Sequence, residues 1–188
     1  ECVEINMRSV DDITEKIESI YKMNPVIDVL VNNAAMSQIM PFSMLEKDDV
    51  DLVFDVNLKG TLFLTKAVVR GMIRNKRGSI VNIGSIAGHR LLDVPVTYAM
   101  SKAAFSGMTL ALAAELKRFN IRVNNVVPGL LSGGVSKGVP DDLIETFVHH
   151  NAVGRTGTAR DISETVCFVT SDKAGYINAQ NIFVDGGI

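Results

Sequence analysis

A tyrosine and a lysine four residues apart, Tyr98 and Lys102, could carry acid–base chemistry on a carbonyl or an alcohol. In a helix, that spacing puts the two side chains on one face. A solvated tyrosine has a pKa near ~10, and a neighbouring ammonium favours the phenolate and lowers that pKa. A phenol tuned in this way gives a proton to a carbonyl oxygen or takes one from an alcohol. The alternative interpretation of the pair is an ordinary exposed helix face.

A serine at the end of a predicted strand, Ser85, precedes Tyr98 in the sequence. Its hydroxyl could hydrogen-bond the same substrate oxygen that Tyr98 addresses, and Gly84 and Gly88 would allow the backbone to approach closely. The alternative is a serine that only caps a loop. Ser85, Tyr98 and Lys102 together predict an active site more specifically than any one of them.

Two neighbouring histidines, His149 and His150, could suggest a metal site. No further His or Cys lies at ligand spacing, so a solvated helix end is the interpretation we favour, and we predict no metal. The two cysteines, Cys2 and Cys167, are far apart in the sequence. They are typical of buried thiols in a reducing compartment rather than of a structural disulfide.

The composition is close to that of an average soluble globular protein. The 188 residues are 47% hydrophobic and 21% charged, with a net charge of −2, which suits one domain over residues 1–188 and excludes general disorder. A protein that neutralises phosphates should be basic, so nucleic acid is not an expected partner. Because no apolar stretch reaches the ~20 residues of a membrane span, we expect a cytoplasmic protein that makes no membrane contact.

Strand and helix patterns alternate along the chain. Apolar runs predict strands over residues 2–5, 26–31, 79–83, 121–127 and 181–184. Helical periodicity predicts helices over residues 10–23, 48–72, 98–119, 141–149 and 161–170. This order predicts an α/β fold with an open, doubly wound parallel sheet and helices on both faces. Ligands bind outside the carboxyl ends of such strands, so the loops that start at Asn32, Gly84 and Pro128 should converge on one crevice.

The motifs, taken together, resemble those of the short-chain dehydrogenase/reductase family, and most closely its 3-oxoacyl-carrier-protein reductase-like members. Gly-Ser-Ile-Val-Asn-Ile-Gly-Ser-Ile-Ala-Gly at 78–88 and Tyr-Ala-Met-Ser-Lys at 98–102 carry the resemblance. The stretches that agree with the family in order and spacing are Asn-Asn-Ala-Ala at 32–35, Asp-Val-Asn-Leu-Lys-Gly at 55–60, Pro128 with Gly129, Gly154 with Arg155, and Val-Asp-Gly-Gly at 184–187. The resemblance covers essentially the whole chain and implies a Rossmann-like fold.

The resemblance implies a catalytic role for four residues. Tyr98 would be the general acid/base, and Lys102 would lower its pKa and hold the nicotinamide ribose. Ser85 would position and polarise the substrate carbonyl. Asn57 would hold a water that links Lys102 to solvent. The alternative interpretation is an Asn inside a helix whose side chain bonds backbone groups, and the two interpretations are compatible. The reaction would be hydride transfer between a carbonyl and a secondary alcohol.

The resemblance also implies an NAD or NADP site that includes Tyr98 and Lys102. Asn32 and Ala34 would line the adenosine ribose and pyrophosphate region through their backbone. The other residues implied to border the cofactor are Asn6 and Met7 near the adenine, and Pro128, Gly129 and Leu131 near the nicotinamide. The family usually has a Thr that bonds the carboxamide where this chain has Gly133, so either Ser132 substitutes for it or one anchor is lost.

The family's first strand, its Gly-rich turn, first helix and second strand should precede Cys2, so we expect the N-terminal β-α-β unit of the fold to be missing. The turn would bind the pyrophosphate, and the second strand would select NAD or NADP. The sheet should then have unpaired inner backbone groups and exposed apolar surface. We expect that the isolated 188-residue chain does not fold stably by itself. Either another chain supplies the ~50 residues of this unit, or they precede these residues in the complete protein. A cooperative, native-like denaturant transition of the isolated chain would contradict this expectation.

The helices at 48–72 and 98–119 have more apolar surface than a sheet covers, and in the family they form a dimer contact, so a homodimer or homotetramer is expected. Gly133, Gly134 and Gly138 suit a mobile lid over a small-molecule carbonyl or alcohol substrate, or plain turns. Apolar residues near the site are compatible with acyl chains, sugars, steroids or polyketides. The alternative to an enzyme is a non-catalytic family member that keeps the fold as a binding or assembly module.

Overall fold

Four parallel strands form one sheet in the computed structural model, which describes residues 2–136 and 139–188. In chain order the strands are β1 (Val29–Asn32), β2 (Gly78–Ile83), β3 (Ile121–Pro128) and β4 (Asn181–Val184). Their order across the sheet is also β1-β2-β3-β4, and every neighbouring pair is parallel. Helices lie between consecutive strands, as parallel crossovers require. The prediction of a parallel α/β sheet is confirmed.

The helices lie close to the predicted ranges. They are α1 (Val10–Met23), α2 (Lys47–Phe54), α3 (Thr61–Asn75), α4 (Val96–Leu116), α5 (Asp141–His150) and α6 (Ala159–Thr170). Helix α1 begins after Ser9, whose hydroxyl accepts a hydrogen bond from the Asp12 N–H. This hydrogen bond caps the first turn of the helix.

The sheet is covered on both faces because consecutive residues of β2 point in opposite directions. Ile80 packs in one core cluster with side chains of α1, α3 and α4, including Met72 and Leu116. Val81 packs in another cluster with Ile162 and Val169 of α6. Since period-two alternation sends neighbouring residues to opposite faces, the fold is doubly wound as predicted.

Three of the predicted elements differ in the structure. Residues 2–5, predicted as a strand, pair with no strand of the described chain and have irregular backbone. A strand is stable only where a neighbour completes its backbone hydrogen bonds, so its apolar pattern is not sufficient. The predicted strand over 26–31 is shorter and ends one residue later, at Asn32. The predicted helix over 48–72 is interrupted by a π-helical turn, Asp55–Gly60, between α2 and α3.

The free edge of β1 has apolar side chains that the sheet does not cover. Val29 and Val31 are 42% and 39% exposed, whereas the alternate residues Leu30 and Asn32 are buried. Exposed apolar surface beside an unpaired edge agrees with the expectation from the sequence. The prediction of buried thiols is wrong, because Cys2 and Cys167 are both free and exposed.

Each strand contributes an asparagine to one row that runs across the sheet. Asn82 pairs in register with Asn32 on one side and with Asn125 on the other, and Asn125 pairs with Asn181. The side-chain nitrogen of Asn32 donates to the side-chain oxygen of Asn82 at 2.8 Å, and the side-chain nitrogen of Asn125 donates to the side-chain oxygen of Asn181 at 2.8 Å. A slip of one residue would send these side chains to the opposite face, so the row helps to fix the register of the four strands.

No helix of the described ranges is both long and apolar enough to span a lipid bilayer.

Two glycines provide a matched test of the packing around the π-helical turn. A Cβ at Gly60 would lie 2.3 Å from the Met7 carbonyl oxygen, whereas a Cβ at Gly107, in α4, would meet nothing within 4 Å. We expect Gly60→Ala to destabilise the fold by about 1–3 kcal/mol through overpacking. Gly107→Ala should stabilise it by about 0.5–1 kcal/mol, since alanine favours the helix. Equal changes in the free energy of unfolding, measured by urea denaturation, would contradict the close approach of Met7.

Candidate active site

The loops that follow β1, β2 and β3 meet at the carboxyl edge of the sheet, as predicted. The loop after β1 is tied to the π-helical turn, because the Met36 N–H donates to the side-chain amide oxygen of Asn57 at 2.8 Å. The loop after β3 is tied to the end of β4 by the Gly129 N–H, which donates to the Val184 carbonyl at 3.0 Å. Because β1, β2 and β3 are parallel neighbours, the residues singled out in these loops lie at one edge of the sheet.

Tyr98 and Lys102 lie on the same face of α4. The Lys102 ammonium is 5.9 Å from the centroid of the Tyr98 ring and donates to the Ile83 carbonyl, at the end of β2, at 2.7 Å. Lys102 is only 3% exposed. Burial penalises the charged form and lowers the pKa of Lys102 to about 8. The amine is thus still mostly protonated at neutral pH, but its titration falls close to the physiological range.

The Ser85 side chain lies close enough to the Tyr98 phenol to affect its pKa. Burial raises the pKa of Tyr98 above its ordinary value, and hydrogen bonding to the Ser85 side chain offsets part of that rise. The prediction that Lys102 lowers this pKa is therefore not borne out for the protein alone, because the loss of water around the phenol outweighs the other influences. The spacing of the pair places the two groups correctly, but the sign of the shift depends on burial.

Ser85 both caps a turn and lies near Tyr98, so it fits both interpretations that the sequence left open. Its backbone is extended at the end of β2, and its hydroxyl accepts from the Ala87 N–H at 3.1 Å, so it caps the short 3-10 turn Ile86–Gly88. The same hydroxyl lies beside the Tyr98 phenol. A capped, extended serine is held in a fixed orientation, which suits a group that must address one substrate oxygen.

Asn57 is completely buried in the π-helical turn. Its amide nitrogen donates to the Met36 carbonyl and to the Ser101 hydroxyl, both at 2.9 Å, and its amide oxygen accepts from the Met36 N–H. Both amide protons are thus used on protein groups, and the structural reading of Asn57 holds. Its role in holding a water stays a prediction.

The residues predicted near the adenine and the pyrophosphate differ in what their side chains can offer. Asn6 lies in a turn in which its side-chain oxygen accepts from the Arg8 N–H, and the Met7 carbonyl packs against Gly60. The Asn32 amide donates to Thr65 and Asn82 and is internal. The side chain of Asn32 is thus occupied inside the protein, which agrees with a cofactor contact through its backbone only. Ala34, in the loop that follows, is exposed.

The segment after β3 is placed by close backbone contacts. A Cβ at Gly129 would lie 2.8 Å from the Asp185 Cα, so glycine is required beside the end of β4. Pro128 ends β3, and Leu131 forms an isolated parallel bridge with Gly157. The Ser132 hydroxyl donates to the Gly157 carbonyl at 3.3 Å, so in this structure it is engaged by the protein.

Two of the three glycines of the predicted lid lie within the described residues. Gly133 and Gly134 have φ of 115° and 65°, a left-handed region that glycine adopts readily. Gly138 lies outside the described residues.

The histidine pair at the end of α5 has no metal-site geometry: His150 contacts the Thr146 carbonyl, and the described ranges hold no cluster of three or more potential ligands.

Two buried polar residues of this region were not singled out from the sequence. Ser101 lies between Tyr98 and Lys102 in the chain, which is the signal that could have indicated it. Asn151, at the end of α5, donates to the Asp185 carbonyl at 2.6 Å and accepts from the N–H groups of Val153 and Gly154. It joins α5 to the end of β4, and no local sequence signal marks it.

The sequence of the chain matches known reductases over nearly its whole length. The sequence profile of a family described as enoyl-(acyl carrier protein) reductase matches residues 1–188. The 3-oxoacyl-[acyl-carrier-protein] reductase of Thermotoga maritima is 36% identical over 184 residues, which cover 98% of this chain and 75% of the relative. The corresponding reductase of Aquifex aeolicus is 34% identical over 186 residues, covering 99% of this chain and 75% of the relative.

Solved structures show the same architecture. A short-chain alcohol dehydrogenase structure from Sinorhizobium meliloti superposes with a TM-score of 0.92 at 30% identity, over 98% of this chain and 74% of the other. A gluconate 5-dehydrogenase from Burkholderia cenocepacia, in complex with NADP and tartrate, gives a TM-score of 0.92 at 26% identity, over 97% and 72%. The chain thus spans about three quarters of the length of its relatives.

Proposed function

This chain belongs to the short-chain dehydrogenase/reductase family, and from that membership we propose that Ser85, Tyr98, Lys102 and Asn57 form its active site. The protein is an NAD(P)-dependent oxidoreductase that interconverts a carbonyl and an alcohol. The single observation that carries the residue assignment is the buried Lys102 ammonium, 5.9 Å from the centroid of the Tyr98 ring on the same face of α4.

The donor groups at this edge fit a nicotinamide nucleotide. Among the described residues, the Ile83 carbonyl is the one hydrogen-bond acceptor of the Lys102 ammonium, so two of its N–H groups can serve ribose hydroxyls. We infer that Asn6, Met7, Asn32, Ala34, Pro128, Gly129 and Leu131 border the same nucleotide. The NADP in the gluconate 5-dehydrogenase supports either NADP or NAD as the cofactor here.

The bound nicotinamide supplies the hydride chemistry, while the protein orients the substrate and moves the proton. In the reductive direction, the Tyr98 O–H gives its proton to the carbonyl oxygen as negative charge develops there. The Ser85 hydroxyl donates to the same oxygen and holds it in place. The Lys102 ammonium stabilises the resulting phenolate, since an opposite charge nearby favours the ionised form. A raised pKa keeps Tyr98 protonated and ready to donate before the reaction.

The wider setting of the enzyme is also a proposal. We propose one domain over residues 1–188, a cytoplasmic location and a homodimer or homotetramer. The assembly is supported by large apolar side chains that remain exposed on α3 and α4, including Leu62, Met100 and Leu110. Burial of such side chains between two copies would stabilise a dimer.

The proposed activity is tested by following the absorbance of NADH and NADPH with a panel of carbonyl substrates. The panel should contain 3-oxoacyl thioesters, which the names of the curated relatives suggest, together with oxo acids, sugars and steroid ketones. We expect turnover with at least one substrate class and one of the two cofactors. Binding of a cofactor without turnover across the whole panel would instead support a non-catalytic binding module.

A further inference from the structure

Ser101 occupies the turn of α4 that carries both proposed acid–base residues. It is completely buried, and its hydroxyl donates to the Tyr98 carbonyl at 2.8 Å. The same hydroxyl accepts from the Asn57 amide nitrogen at 2.9 Å. Ser101 therefore contacts the backbone of the proposed general acid on one side and the π-helical turn on the other.

The bond to Asn57 joins three separate segments of the chain. Asn57 spends its other amide proton and its amide oxygen on the Met36 backbone, in the loop after β1. A hydroxyl on α4 is thus the group that connects this paired loop and turn to the helix of Tyr98 and Lys102. Because all of these groups are buried, each hydrogen bond is costly to leave unmade.

Lys102, the next residue along, is fixed at its other end by the Ile83 carbonyl. The N-terminal part of α4 is therefore held at two neighbouring positions. Lys102 bonds it to the end of β2, and Ser101 bonds it to the π-helical turn. Small displacements of such a helix matter, since a shift of about 1 Å at a reacting group can cost about 100-fold in rate.

We propose that Ser101 is a positioning residue. Through its hydrogen bond to Asn57, it fixes the position of Tyr98 and Lys102 relative to the π-helical turn. This inference rests on the proposed oxidoreductase function and goes beyond it, since Ser101 itself need touch neither substrate nor cofactor. Without the hydroxyl, the Asn57 amide loses an acceptor and α4 loses its link to the loop after β1.

The test compares Ser101→Ala with a matched control on the same helix, Thr109→Val. The Thr109 hydroxyl is also buried and accepts from a buried asparagine amide, that of Asn82, at 2.9 Å. Both variants leave a buried amide short of one acceptor, so both should lose a similar amount of stability. We expect Ser101→Ala to lower kcat about tenfold with KM values within about twofold, and Thr109→Val to leave kcat unchanged.

A second readout does not depend on activity. The chain has only three tyrosines, so 13Cζ-tyrosine NMR resolves the Tyr98 signal, which Tyr98→Phe assigns. We expect Ser101→Ala to move the pKa of Tyr98 towards that of a solvated tyrosine, because a loosened helix admits water. Thr109→Val should not move it.

A double-mutant cycle shows whether Ser101 acts through Asn57. In an Asn57→Ala background, the further change Ser101→Ala should alter the Tyr98 titration by much less than it does in the wild type. Equal effects of Ser101→Ala and Thr109→Val on kcat and on the Tyr98 titration would overturn the inference. Absence of turnover in the wild type would overturn the proposed function instead, and the NMR titration would still decide the role of Ser101.

Discussion

In the active enzyme, replacing Tyr98 with phenylalanine is expected to remove at least about 99% of the turnover while cofactor binding is retained, since acid–base catalysis contributes about 100-fold or more. The change deletes one oxygen and keeps the ring. It leaves the ring contact with the Lys102 ammonium and the hydrogen bond from Lys102 to Ile83 in place. What it removes is the proton that must reach the carbonyl oxygen in the reductive direction. Steady-state kcat and the binding of reduced nicotinamide by fluorescence are the two measurements required.

The control for this variant is Tyr176→Phe. Tyr176 is fully exposed, so removal of its hydroxyl should change neither kcat nor cofactor binding. Activity of Tyr98→Phe within about tenfold of the wild type, a difference of only ~1.4 kcal/mol in the barrier, would contradict the role of Tyr98 as general acid. Loss of cofactor binding together with turnover would show that the phenol holds the nucleotide rather than the proton.

The parts of the fold that follow from local pattern could be predicted from the sequence. The helical periodicity over residues 10–23 predicts α1, and the structure has that helix over Val10–Met23. The alternation of strand and helix predicts a parallel sheet covered on both faces, because consecutive β2 residues such as Ile80 and Val81 must both be buried. Local pattern failed at residues 2–5, because a strand needs a paired neighbour and these residues pair with no strand of the described chain.

The site was predictable to the extent that chemistry depends on spacing along one helix. The four-residue separation of Tyr98 and Lys102 places both on one face. The direction of the pKa of Tyr98 was not predictable, because it depends on water that tertiary packing excludes. The same is true of Ser101, whose importance appears only when the π-helical turn brings Asn57 within hydrogen-bond distance.

Replacing Lys102 with methionine should reduce kcat/KM by at least about 100-fold, the scale of a lost acid–base contribution. Methionine keeps much of the length and the apolar stem of lysine but has no ammonium to stabilise the Tyr98 phenolate or to hold ribose hydroxyls. We expect the KM for the cofactor to rise together with the fall in kcat. Lys66→Met, at an exposed position of α3, is the control and should retain full activity. A Lys102→Met enzyme with more than about a tenth of wild-type kcat/KM would contradict the assignment, since that loss corresponds to less than ~1.4 kcal/mol.

The same variant should show a pH-dependent gain in stability. Burial lowers the pKa of Lys102 to about 8 in the folded protein, whereas an unfolded lysine titrates near ~10.4. Between these two values the unfolded chain binds more protons, so the penalty for burying the ammonium is complete below about pH 8 and disappears as the pH rises towards 10. Lys102→Met lacks this penalty but leaves the Ile83 carbonyl without its donor, which is a cost that does not vary with pH.

The difference in the free energy of unfolding between Lys102→Met and the wild type should therefore be most favourable to the variant at pH 6–8. It should fall by about 1–3 kcal/mol as the pH rises to about 10, the scale of a shift of this size at 1.36 kcal/mol per pKa unit. Urea denaturation of both proteins across this range measures it, and the titration of all shared groups cancels in the difference. A difference that does not change with pH would mean that Lys102 is not desolvated. A stable, inactive Lys102→Met would show that the protein maintains a buried ammonium at a cost in stability because the reaction requires it.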